Sequence, residues 1–245
     1  MGNESGTWIM HGLEASDKNC IHTVAQLTEY IDSVGFLPLF KNDIDGFSVE
    51  EHVESTHWWS GDRERDPWEW REIIAAEGKV AYGKFFDKKA GFISLKMLPD
   101  FVNCRRDGYD FDALWDDEKA SVRQKKIMDL FDSKTEMLSN EIKQKAGFGG
   151  GGEKNFEGVI SALQMEMYLC VRDFRQRRNK KNEPYGWPVA VYCMPEHLWD
   201  YDFVTKRYSV TAAESAEKLR KEMEKLYPKA SQKQIARVIY GRSSI

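Results

Sequence analysis

Residues 155–194 read NFEGVISALQMEMYLCVRDFRQRRNKKNEPYGWPVAVYCM, and the succession of patterns in them decides the fold. Phe156, Val159, Ile160, Leu163 and Met167 recur at three and four residues, the spacing of one buried helical stripe, with Asn155 as the candidate N-cap. Residues 168–174 and 187–194 then read as strands around a polar tip, 175–186. Upstream, Val122, Ile127, Leu130 and Phe131 mark a helix over 121–131, and Ser139 caps a short one over 140–146 that stops at Gly147. Helix, helix, helix, strand, turn, strand is the winged-helix pattern. Three short helices share one core and a hairpin covers its open edge. The third helix then offers an outward face to a major groove, and the hairpin tip reaches phosphates.

Toward the N-terminus, Ile21, Val24, Leu27, Tyr30 and Ile31 predict a helix from Ser16 or Asp17 to Gly35. Residues 36–40 follow as an edge strand or an extended connection, since Pro38 cannot donate to a ladder. Ser48 and Glu51 predict a capped helix to His57, and Pro67 opens another that Gly78 ends. Residues 80–86 and 90–94 flank Asp87-Lys88-Lys89 as a hairpin, and 95–102 read as a short helix or turn. Two helices, 211–226 and 231–240, close the chain around a Tyr227-Pro228 break, and no internal repeat is visible. The expected fold is α+β: tandem winged-helix domains, mainly helical with small β-hairpins, plus a helical extension. Its divisions are an arm (1–18), a first winged-helix-like domain (19–117), a second with a basic wing (118–200) and the extension (201–245).

The 245 residues are 41% hydrophobic and 13% aromatic, enough for a core and too many for wholesale disorder. No apolar run approaches the roughly 20 residues that span a bilayer, and the first residues lack a basic, then apolar, leader. A soluble cytoplasmic protein is expected. Cys20, Cys104, Cys170 and Cys193 form no C-x-x-C pair, and His52 and His57 fit no zinc motif, so neither metal nor cofactor is expected. There is no G-x-S-x-G elbow and no dinucleotide fingerprint. Gly149–Gly152 follows a helix rather than a strand, which suits a flexible connection and not a phosphate loop.

Charge is the sharper signal. The whole chain is -4, yet residues 170–181 carry Arg172, Arg175, Arg177, Arg178, Lys180 and Lys181 against the single acid Asp173. A cationic tip on an acidic body suits phosphate contact and orients approach to duplex DNA. Lys154 and Gln164 on the third helix join these candidates, Gln164 toward a base edge. Glu157 and Glu166 oppose base readout there, so backbone recognition is expected. Trp58, Trp59, Trp68 and Trp70, threaded among charges, are candidates for base stacking or for a core layer.

Asp66-Pro67-Trp68-Glu69-Trp70-Arg71 through Gly78-Lys79-Val80-Ala81-Tyr82-Gly83-Lys84, then Phe92-Ile93-Ser94 and Leu98-Pro99, resemble a bacterial group related to the AlkZ/YcaQ DNA glycosylases. The resemblance extends from Val34-Gly35-Phe36 to Leu163-Gln164 and Val191-Tyr192. It implies tandem winged helices forming a cradle for damaged duplex DNA, and hydrolysis of the N-glycosidic bond of alkylated or crosslinked bases. Such enzymes orient the attacking water with a Gln-x-Gln or Gln-x-Asp motif. This chain departs from that motif. Tyr30-Ile31-Asp32 offers only Asp32, Gln26-Leu27-Thr28 does not match, and Gln232-Lys233-Gln234 lies on a C-terminal surface helix. Three readings follow: a DNA-binding protein, a glycosylase that positions water with Asp32, and a protein-interaction module.

Overall fold

The computed structural model describes residues 10–241, so the first half of the expected arm (residues 1–9) lies outside the described residues. Helix α1 (Val24–Val34) begins where Thr23 accepts a hydrogen bond from the Gln26 amide, and ends at Gly35, whose φ of 87° suits glycine. It starts later than periodicity suggests, because Ile21 bridges to Val53 instead of entering the helix. Strand β1 (Phe36–Pro38) follows at a sheet edge. The helix expected from Ser48 is two 3-10 turns, Val49–His52 and Ser55–His57. Ser48 Oγ donates to Glu51 (2.7 Å) rather than capping a backbone amide. Buried Glu50 meanwhile accepts from the amides of His11 and Lys41, both at 2.9 Å.

Helix α2 (Pro67–Glu77) has proline in its first turn and Gly78 in the left-handed region at its end. Strands β2 (Val80–Phe86) and β3 (Lys89–Ser94) are joined at Asp87 and Lys88, both with positive φ, as tight hairpins demand. Then come α3 (Leu98–Arg106), α4 (Phe111–Asp116), α5 (Val122–Met128), β4 (Glu136–Leu138), α6 (Ser139–Lys145) and α7 (Phe156–Met165). Strands β5 (Cys170–Arg178) and β6 (Pro184–Cys193) precede α8 (Pro195–Trp199), α9 (Tyr201–Thr205), α10 (Ala212–Leu226) and α11 (Gln232–Tyr240). Capping boxes at Ser121, Thr211 and Ser231 fix the starts of α5, α10 and α11.

The strands do not stay as separate small hairpins. They form one six-stranded antiparallel sheet in the order β1-β3-β2-β5-β6-β4, joined at its centre by Tyr82 opposite Val171. In each half a lone short strand pairs with the second strand of the hairpin, β1 with β3 and β4 with β6. The same strand pairing therefore occurs on both sides of the sheet, although no sequence repeat is visible. Cys170 and Cys193, remote in sequence, face each other across β5 and β6 with sulfurs 3.5 Å apart as free thiols.

One expectation is corrected here. Helix α7 was to turn a face outward, but Phe156, Val159, Ile160, Ser161, Leu163 and Gln164 are all buried, because α7 packs between α5 and β2. The helices of the C-terminal extension pack on α3. Helix α10 lies on α3, where Asn103 Nδ2 donates to the carbonyls of Val210 (3.1 Å) and Thr211 (3.2 Å) and to Ser215 Oγ (3.0 Å). Buried Asp100 pairs with Arg207 (3.0 Å) and Lys218 (2.5 Å), and Arg105 donates to carbonyls of Val238 and Ile239 (2.9 and 2.8 Å). Polar groups on α3 are the attachment points. Among the described residues, no helix is long and apolar enough to cross a membrane.

Candidate nucleic-acid interface

The basic hairpin is shaped by two slips in the β5–β6 register. Val171 faces Tyr192 but Asp173 faces Val191, so Arg172 is an extra residue on β5. Its guanidinium reaches the C-terminal carbonyls of α2, donating to Ala76 O at 2.6 Å, a site where a cation also meets the helix dipole. Farther out, Arg175 faces Val189 and Arg177 faces Tyr185, so Gly186-Trp187-Pro188 bulge opposite Gln176 alone. Pro188 has no amide to return to the ladder, and Gly186 takes a φ of 70°. A Cβ at Gly186 would stand 2.8 Å from Arg177 Nη2. The bulge throws Trp187 outward, where it is 86% exposed.

The hairpin cations divide into two groups. Arg172 caps α2. Arg175 donates to Glu136 (2.5 Å) and Asp173 (2.7 Å), and these acids hold its guanidinium above the usual arginine range. Farther out, Arg177 lies over the Tyr185 ring (4.9 Å to the centroid) and Arg178 donates to Asn182 O (2.7 Å). Lys180 and Lys181 are exposed, and among the described residues none of these last four forms an ion pair. Residues 176–187 carry these four cations against Glu183.

Beside the bulge is a cleft of ≈ 660 Å³ between the hairpin (Gln176, Trp187) and α2 with the loop before it (Trp59, Trp68, Arg71, Glu72). Asp66 builds that wall. Its buried carboxylate caps α2 at the Trp68 amide (2.8 Å) and draws the loop back by accepting from Trp59 (3.1 Å) and Gly61 (3.1 Å). Trp59 is thereby held at a φ of 56°, a region bulky residues avoid. The Arg71 guanidinium is sandwiched between Trp68 (3.8 Å) and Phe174 of β5 (4.3 Å), and donates to Glu72 Oε1 at 3.0 Å. Burial pushes the Glu72 carboxyl above its usual range, with Arg71 opposing the shift.

Of the four tryptophans, Trp59 and Trp68 line this cleft. Trp58 packs on Phe40 (5.3 Å) at 6% exposure. Trp70 is buried, with its Nε1 donating to Glu64 O (3.0 Å), so neither offers a ring face to a ligand. Gln164 is not placed for a base edge. Its Oε1 accepts from the Lys84 amide (2.9 Å), which the bulge in β2 releases from the ladder, and its Nε2 donates to Ile160 O (3.0 Å). Lys154 is exposed just before α7, away from the residues lining the cleft. Asp32 sits half-exposed on α1, 3.7 Å from Lys96, and is not part of the cleft wall. Gln232 and Gln234 are spent on Glu224, the cap of α11 and Asp43 O.

A second hollow, ≈ 360 Å³, is ringed by Asp110, Asp112, Asp129, Asp132 and Glu196 around buried Arg106. Its charge repels phosphate. Among the described residues, no group of three His, Cys, Asp or Glu is arranged to hold a metal ion.

The model of the AlkZ-related family matches residues 21–240, which takes in α1, the aromatic cleft, the hairpin and α11. The chain belongs to the AlkZ-related family. No curated protein and no solved structure matches it. In this AlkZ-related chain, the cleft residues that sequence reasoning missed are Arg71, Glu72, Gln176 and Trp187. A signal for Trp187 was present: a tryptophan between glycine and proline cannot sit quietly in a regular strand.

Proposed function

We propose that this AlkZ-related protein binds duplex DNA by its sugar–phosphate backbone, with the tip of the β5–β6 hairpin as the main contact. The observation that carries this reading is the partition of the hairpin cations. Arg172 and Arg175 are consumed by the fold, whereas Arg177, Arg178, Lys180 and Lys181 cluster on a projecting ribbon without acidic partners among the described residues. Family membership supports it. So does the repeated order helix, strand, helical segment, helix, strand, strand, which we read as two winged-helix units fused through β2 and β5. With six of the ten residues of α7 buried, Gln164 among them, the proposal leaves out sequence readout by a recognition helix, and shape and charge carry the contact. A DNA partner agrees with the cytoplasmic setting expected from the sequence. Asp32 pairs with Lys96 outside the cleft, so no hydrolytic step is assigned to it.

The test is fluorescence anisotropy of a labelled duplex titrated with the full chain at several salt concentrations. Affinity is expected to fall steeply with salt, by roughly one unit of log–log slope per phosphate neutralised. Absence of binding at low salt overturns the reading.

A further inference from the structure

We propose that the cleft between Trp187 and the Trp59/Trp68 wall takes one unpaired purine base of duplex DNA, stacked on indole and met at its edge by Glu72 and Gln176. This rests on the DNA-binding reading and adds a lesion-like structural preference to it. The cleft has the size of a small-ligand site, ≈ 660 Å³, and the residues lining it are aromatic on two different elements. Trp187 comes from the hairpin bulge, and Trp68 from α2, where its ring is held in place by Arg71. Flat aromatic faces supplied by separate elements suit a planar insert rather than an extended chain.

The polar groups present are those a base edge needs. Gln176 Nε2 donates one N–H to Gly186 O (3.3 Å), and its second N–H and its Oε1 remain to meet a base edge. The Glu72 carboxylate has Oε1 occupied by Arg71, and among the described residues nothing donates to Oε2. A purine amino group can donate there. The cleft is also continuous with the phosphate-binding ribbon, because Gln176 and Gly186 on its rim adjoin Arg177 and Tyr185 in the chain. A backbone held at the tip therefore delivers its neighbouring base to the cleft. An intact duplex keeps its bases stacked, so occupancy favours a base already unpaired.

The experiment uses the full chain with a duplex carrying one bulged 2-aminopurine, and the fully matched duplex as reference. The bulged duplex is expected to bind about tenfold more tightly, in line with base–indole stacking. Its 2-aminopurine fluorescence is expected to fall on binding. Trp187→Ala should bring the ratio of the two affinities to about twofold or less and remove the quenching, while Trp187→Phe restores most of both. Trp187 is almost fully exposed, so its replacement leaves the fold intact. Equal affinity for the two duplexes, or unchanged quenching in Trp187→Ala, overturns the inference while leaving backbone binding standing. No salt-sensitive binding to either duplex overturns both.

Discussion

The guanidinium carbon of Arg71 lies 3.8 Å from the ring centroid of Trp68, one helical turn earlier on α2. With Phe174 covering the other side, that stack ties α2 to the root of the basic hairpin. Arg71→Lys keeps the charge but loses the planar stack between Trp68 and Phe174. It should lower stability by about 1–2 kcal/mol, read from urea midpoints with an unchanged m-value. Wild-type stability in this variant would mean the stack contributes nothing.

Glu72 gives a pH-dependent counterpart. Burial raises its carboxyl pKa in the folded chain, so the folded state holds that proton more tightly than the unfolded state does. Its stabilising contribution is complete below the ordinary glutamate value and is lost as pH rises through the folded one. Glu72→Gln mimics the protonated form. It is expected to be more stable than wild type near pH 7, with the difference vanishing near about pH 4. A difference of the opposite sign at neutral pH would show that the ion pair with Arg71 outweighs burial.

Asp66 should be the keystone of the tryptophan loop, since one carboxylate serves three amides. Asp66→Ala is expected to cost about 2 kcal/mol, more than an ordinary cap, and Asp66→Asn less. Chemical denaturation measures both. The loop also holds Trp59 at positive φ, so Asp66→Ala should increase the exposure of tryptophan to acrylamide quenching.

Much of this architecture is legible in the sequence. Pro67 and Gly78 mark the ends of one helix and the Tyr227-Pro228 break parts two more, and the structure has those ends there. The Asp87-Lys88 turn was equally local. What escaped depends on contacts distant in sequence. The apolar stripe of α7 was visible, but its polar residue Gln164 looked solvent-facing, because nothing nearby discloses that a bulge in β2 needs its amide. Arg175 looked the same as Arg177 in composition. Asp173 beside it on β5 and Glu136 on β4, two strands away, separate them, and the second of these is not visible in the local sequence. For the same reason Arg71 and Glu72 read as ordinary helix charges until Phe174 of β5 packs on the Arg71 guanidinium.

The most direct test of DNA binding through the hairpin tip is the salt slope of duplex affinity in two variants. Arg178→Ala/Lys180→Ala/Lys181→Ala removes three cations of the tip, and Arg175→Ala removes one already engaged by Glu136 and Asp173. The triple variant is expected to flatten the log–log slope by about 2–3 and Arg175→Ala by well under about 1. Equal slopes for wild type and the triple variant, or a larger effect from Arg175→Ala, would contradict the assignment of the tip as the DNA contact.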